Sequence, residues 1–140
     1  MTLIAWRKDF ETGFAGIDFE HQTLVEAIND LHSRIDQSGG NVSGAIRHLG
    51  EIHGLVEAHF ALEERIMREE GFSRFNEHKA DHSILLDEIL DIMDSLNAGD
   101  DIDLDKALGQ RVRDWFTTHF STFDRDFHIW EQREKIRINE

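Results

Sequence analysis

Five histidines and two carboxylates stand at spacings that helices turn into clusters. His59 and Glu63 are four residues apart, as are His78 and His82. Each pair therefore projects from one helix face on successive turns. His21 precedes them and His119 follows, with Asp124 five residues further on. Imidazole with carboxylate suits Fe, Zn, Cu or Ni rather than Mg or Ca, whose sites are built from oxygen. Five imidazoles exceed the protein ligands of a mononuclear site, so two ions are expected, with carboxylates available to bridge them. Glu63 is one bridge and Asp124 the natural second. Asp124 carries a condition. Five positions turn an α-helix about 140° past its starting direction, which aims Asp124 away from the site. A wide turn or a helix end near Ser121 to Phe123 is needed to bring it in.

The elements that must position these residues follow from the apolar spacing. Leu24, Val25, Ile28, Leu31 and Ile35 recur in threes and fours, with Asp18 as an expected N-cap and a break at Ser38, Gly39 and Gly40. A second series, Ile46, Leu49, Ile52, Val56, Phe60, Ile66 and Met67, opens near Ser43 and stops at Gly71. A third runs Phe75, Ile84, Leu85, Ile89, Ile92, Met93 and Leu96, with Ser73 as an expected cap and Gly99 beyond its end. The acidic loop Asp100 to Asp105 leads into Leu108, Val112, Trp115, Phe116, Phe120 and Phe123. No strand-like alternation interrupts the pattern. The chain is expected to be all-α, an antiparallel up-down-up-down four-helix bundle. An N-terminal arm, residues 1–17, places Trp6, Phe10 and Phe14 on its outside.

In such a bundle the starts of odd helices meet the ends of even ones. His21, His59 with Glu63, His78 with His82, and His119 therefore converge at one level, inside. A lone histidine on an apolar stripe is ordinarily a hydrogen-bonded core residue. Five of them with carboxylates at one level cannot all be, because burying so many unpartnered polar groups is costly. The cluster reads as a metal site.

Composition narrows the remaining classes. The 140 residues fit one domain, and 29 acidic against 15 basic side chains leave a net charge of −14. That balance argues against nucleic-acid binding through phosphate contacts and against docking on anionic membranes. With no cysteine, disulfides, Fe–S ligation and thiol catalysis are excluded. No apolar run reaches the length of a membrane span, and Arg7, Lys8 and Asp9 interrupt the apolar start from Met1 to Trp6 before it can form a signal core. The expectation is a cytoplasmic domain.

The ligand pattern resembles that of hemerythrins, of the single-domain bacterial kind. It reads Gly16-Ile17-Asp18-x-x-His21, then His59-Phe60-x-x-Glu63-Glu64-x-x-Met67, then His78-x-x-x-His82 and Trp115-x-x-x-His119-x-x-x-x-Asp124. The match runs from Trp6 to about Phe127. The resemblance implies one hemerythrin-like domain over 1–140, with 128–140 a C-terminal extension, and a non-haem diiron centre. His78, His82 and His119 would hold one iron, His21 and His59 the other, and Glu63 and Asp124 would bridge. With an oxo or hydroxo bridge these donors fill two six-coordinate ions except for one position, on the two-histidine iron. Such a position suits reversible binding of dioxygen, and of small anions, for storage, delivery or sensing. The rival reading is a diiron peroxidase or nitric-oxide-handling enzyme, against which no acid or base beyond the ligands is expected near the pocket. A signalling role would need a separate protein partner, since no output domain is seen.

By motif offset the resemblance places an apolar oxygen pocket on Leu24, Phe60, Trp115, Phe116 and Phe120; ordinary core packing is equally true of them. Phe116 and Phe120 stand where the family commonly has leucine and isoleucine. Their larger rings would narrow the pocket and slow autoxidation and anion entry, or lean away and open a different route. Four histidines fall outside the motif. His32 and His48 return to the inner face about 16 Å along the axis and are expected near each other. His53 is expected to be partly exposed. His128, four residues after Asp124, is the strongest decoy. Asp100, Asp101, Asp103 and Asp105 are expected to solvate the loop and cap the fourth helix rather than bind calcium.

Overall fold

The computed structural model describes residues 3–11, 15–37 and 41–139. Phe14 and the expected break at Ser38, Gly39 and Gly40 lie outside them. Helix α1 spans Ala15–Gln37, α2 Val42–Glu70 and α3 Phe75–Asn97. The fourth helical run is composite: α4 Leu104–Leu108, a π turn Gly109–Arg113, α5 Asp114–His119, a second π turn Phe120–Asp124, and α6 Arg125–Asn139. The four runs pack as a four-helix bundle, α1 on α2, α2 on α3, and α3 on the fourth run. Among the described residues no helix is long and apolar enough to cross a membrane.

The breaks have local causes. Gly71 and Gly99 adopt left-handed φ of 74° and 78°, where a side chain would be strained. In each turn the next N–H folds back, Phe72 onto the Met67 carbonyl at 2.9 Å and Asp100 onto that of Ser95 at 3.0 Å. Asn41 caps α2 by accepting from the Gly44 N–H at 3.1 Å, and Asp103 caps α4 from Lys106 at 3.1 Å. Two expected caps fail. Asp18 lies within the first turn of α1, which starts earlier, at Ala15. Before α3 the cap position belongs to Arg74, which makes no side-chain cap, rather than to Ser73.

Two apolar clusters bracket the histidine level. The larger contains Ile28, Leu49, Ile52, Val56, Phe60, Leu85, Ile89, Ile92, Val112, Phe116 and Phe120. The smaller joins Met67, Phe72 and Phe127. Along α2 the order is Phe60, Glu63, Met67, and along the fourth run Phe120, Asp124, Phe127, so the polar layer is enclosed on both sides. His119 was expected near the end of the fourth helix, but the run continues to Asn139. Ile84, assigned to the inner stripe of α3, is 52% exposed. The buried phase of α3 is His78, His82, Leu85, Ile89 and Ile92, and Ile84 points off it.

The arm is more deeply placed than expected. Phe10 is fully buried with Leu3 and Ile4, and its ring meets Trp6 at 5.5 Å and Phe120 at 5.6 Å. Asn29 of α1 pins the arm: the Ile4 N–H donates to Asn29 Oδ1, and Asn29 Nδ2 donates to the Ile4 carbonyl, both at 2.8 Å. At about 1 kcal/mol net per bond, Asn29→Ala is predicted to cost about 2 kcal/mol in urea unfolding. It should also expose the arm to limited proteolysis. Unchanged stability and protection would show that the arm is held by its rings alone.

Candidate metal centre

On one side of the polar layer, Glu63, His78, His82, His119 and Asp124 each offer a ligand atom, all within 4.8 Å of one another and all buried. His78 Nε2 lies 2.7 Å from Glu63 Oε1 and 3.0 Å from Asp124 Oδ1. His82 Nε2 lies 3.2 Å from Glu63 Oε1, and His119 Nε2 2.9 Å from Asp124 Oδ1. On the other side the remaining carboxylate oxygens face the other two motif histidines. Asp124 Oδ2 lies 3.5 Å from His21 Nε2, and Glu63 Oε2 3.6 Å from His59 Nε2. Each carboxylate thus turns one oxygen to each histidine group.

The second π turn delivers Asp124. Its i→i+5 repeat brings the fifth residue back to nearly the starting face, meeting the condition set by the spacing from His119. The local sequence favours this. The hydroxyls of Ser121 and Thr122 donate to the Thr117 and Thr118 carbonyls at 2.9 and 2.7 Å, competing with the regular helical ladder there.

A second layer orients the three-histidine side. Glu64 Oε2 lies 2.8 Å from His82 Nδ1, and Asp81 Oδ2 2.6 Å from His119 Nδ1. A carboxylate behind an imidazole turns the other ring nitrogen inward and raises its donor strength. Asp81 was missed in the sequence because an acid beside a histidine looks like any solvated side chain. Aromatic rings sheath the ligands: Phe60 stacks on His82 at 3.8 Å, Trp115 on His119 at 4.4 Å, and Phe120 on His21 at 4.7 Å.

Electrostatics show what the layer lacks. Burial and Asp124 both act to raise the Glu63 carboxyl, yet His78 and His82 hold it down at about 2. Burial likewise opposes ionisation of Asp124, but His119 and His78 hold it well below its ordinary value. Burial lowers His119, and Asp124 with Asp81 overcomes this to raise it to about 10. His59 is lowered by burial. Two buried carboxylates demand positive charge, and without metal, protons on histidine supply it. Buried Glu63 Oε1 and His59 Nε2 lack hydrogen bonds of good geometry despite close neighbours, as ligand atoms do when arranged around a common point. The donor set fits a pair of cations.

The family model for the hemerythrin HHE cation binding domain matches residues 12–128. The chain belongs to the hemerythrin family. It is 29% identical to the bacteriohemerythrin of Methylococcus capsulatus, covering 89% of this chain and 94% of that one. With the bacteriohemerythrin of Pseudomonas aeruginosa it shares 28%, over 91% and 80%. A crystal structure of a hemerythrin leucine-to-tyrosine variant superposes with a TM-score of 0.74 at 29% identity, covering 91% of this chain and 95% of that one. Hemerythrins bind dioxygen at a diiron centre, and the buried cluster of this chain is one that could hold metal.

All seven motif residues meet at the site. The five pocket residues fare differently. Phe60, Trp115 and Phe120 lie against ligand rings, whereas the ring contacts of fully buried Phe116 are Trp115 at 5.1 Å and Phe120 at 5.2 Å. Leu24 and His59 line a groove of about 360 Å³ between α1 and α2. A second cavity of about 220 Å³ is lined by Glu20, His21, His59, Leu62, Glu63, Ile66, Phe127, His128 and Glu131. Neither is bounded by Phe60, Trp115, Phe116 or Phe120. Glu20, Glu131 and His128 stand at this second cavity, which is separate from the apolar pocket expected around Phe60, Trp115, Phe116 and Phe120. His128 and Glu131 arrive there because the fourth run continues past Asp124, and Glu20 reaches it from the first turns of α1. His53 is partly exposed as expected. His32 and His48 take different neighbours, His32 Nε2 standing 3.8 Å from Asp105 and His48 Nδ1 3.7 Å from Glu51.

These shifts predict the stability of the metal-free protein. His119, at about 10 folded against an ordinary 6.5, contributes fully below pH 6.5, and its contribution is lost as pH rises through about 10. Glu63, at about 2 against 4.5, contributes above pH 4.5 and loses this as pH falls toward 2. His59 and His128, kept neutral by burial, steepen the acid limb below pH 6.5. Urea unfolding across a pH series should therefore show stability falling on both sides of the interval between these limits. A profile flat up to pH 10 would contradict the protonated His119–Asp124 pair.

Proposed function

We propose that this chain holds two irons and binds dioxygen reversibly on the side of His21 and His59. His78, His82 and His119 hold one iron, His21 and His59 the other, and Glu63 and Asp124 bridge them. The observation that carries this reading is the division of each carboxylate's two oxygens between the two histidine groups, at 2.7 and 3.6 Å for Glu63 and 2.9 and 3.5 Å for Asp124. The diiron centre supplies the electrons and the exchangeable coordination position that reversible dioxygen binding needs.

The protein's own residues do the rest. Glu64 and Asp81 fix the ring orientation of His82 and His119. Phe60, Trp115 and Phe120 cover the ligand rings and keep water from them. The histidine-rich donor set favours carrying oxygen over oxidising a substrate, in contrast to ferritin-like sites built on Glu-x-x-His pairs. Storage, delivery and sensing all use this one binding step.

Purified protein should contain two irons per chain, and its air-exposed absorption spectrum should change reversibly on removing oxygen. Glu63→Ala should lose at least one iron, since a bridge serves both ions. Retention of two tightly bound irons in that variant would overturn the bridging assignment. Sustained turnover of peroxide with a reductant would favour the enzyme reading instead.

A further inference from the structure

We propose that His128 is a metal ligand in its own right, contributing a ring nitrogen to the cation held by His21 and His59. This rests on the diiron reading above and goes beyond it, because the motif assigns that side two histidines only.

The geometry has three independent parts. First, His21, Glu63 and His128 each place a ligand atom within 4.8 Å of the others, and all three are buried. This is the same closeness that gathers the three-histidine side. The His128 ring lies 6.2 Å from that of His21. Second, helix phase requires it. The π turn ends at Asp124 and regular helix resumes at Arg125, so Asp124 and His128, four apart, share one face. The distortion that carries Asp124 into the site carries His128 with it. Third, His128 Nδ1 lies 3.5 Å from Glu131 Oε1. That is a longer version of the carboxylate support behind His82 and His119, which turns the opposite ring nitrogen toward the site.

The consequence is chemical. Two histidines and two carboxylate oxygens become three histidines and two carboxylate oxygens, matching the opposite side. A small molecule entering this side then competes with an imidazole rather than meeting an open position. His128 also borders the 220 Å³ cavity with His21 and His59, so a displaced ring has space to move into.

The decisive experiment loads metal-free protein with Zn²⁺ and follows the histidine-ring nitrogens by ¹H–¹⁵N NMR. His128 should show the shift of a metal-bound ring nitrogen together with His21, His59, His78, His82 and His119. Iron-loaded His128→Asn should keep two irons per chain, and its oxidised form should bind azide faster than the parent. A His128 ring unshifted by zinc while the other five respond would overturn the proposal and leave the diiron reading intact, as would equal azide rates. If His21 and His59 also fail to respond, the diiron reading itself falls, and this proposal with it.

Discussion

Two ionised carboxylates buried among imidazoles are costly unless positive charge lies between them. Glu63 and Asp124 sit in the middle of the bundle, almost wholly shielded from water, and nothing on the backbone neutralises them. Protonated histidine does so in part, and a pair of metal cations does so more completely. The rest of the architecture follows from accommodating that layer. Apolar side chains close it above and below, rings cover the imidazoles, and acids further out hold those rings in one orientation.

Enclosure also decides where small molecules can enter. Phe60, Trp115 and Phe120 are stacked closely on ligand rings, and Phe116 packs behind two of them. That face is a wall. The openings lie instead beside α1 and α2, bordered by Leu62 and, at one of them, by Ile66 and Phe127. One of these cavities lies on the side where His128 and Glu131 stand, away from Phe116 and Phe120. The arm reinforces the wall through Phe10, which touches the outer edge of Phe120.

Much of this was legible in the chain. Apolar residues in threes and fours located the first three helices and the fourth as far as Phe123, though not its continuation to Asn139. Gly71, Gly99 and Asp103 marked real ends and caps. The five-residue step from His119 to Asp124 even demanded a wide turn where one occurs. Other features were hidden for physical reasons. Ser73 and Asp18 have the chemistry of caps, but α1 begins three residues before Asp18 and the cap position of α3 falls to Arg74. Asp81 supports His119 across helices, a relation invisible to spacing within one. His128 falls outside the ligand motif, and its place beside His21 and Glu63 shows only once helical phase is counted afresh after the π turn. The acids near the cavity, Glu20 and Glu131, look like ordinary solvated charges until the helices are packed.

The π turn at Phe120–Asp124 also bears on how such a site arises and is lost. A wide turn is one residue more than a regular helix would hold over the same rise. Deleting a single codon there would give back an unbroken helix, with the residues after it turned to a new face and Asp124 carried off its histidines. A more regular helix and loss of the centre would come from the same event. The turn thus serves the placement of Asp124 rather than the regularity of the helix.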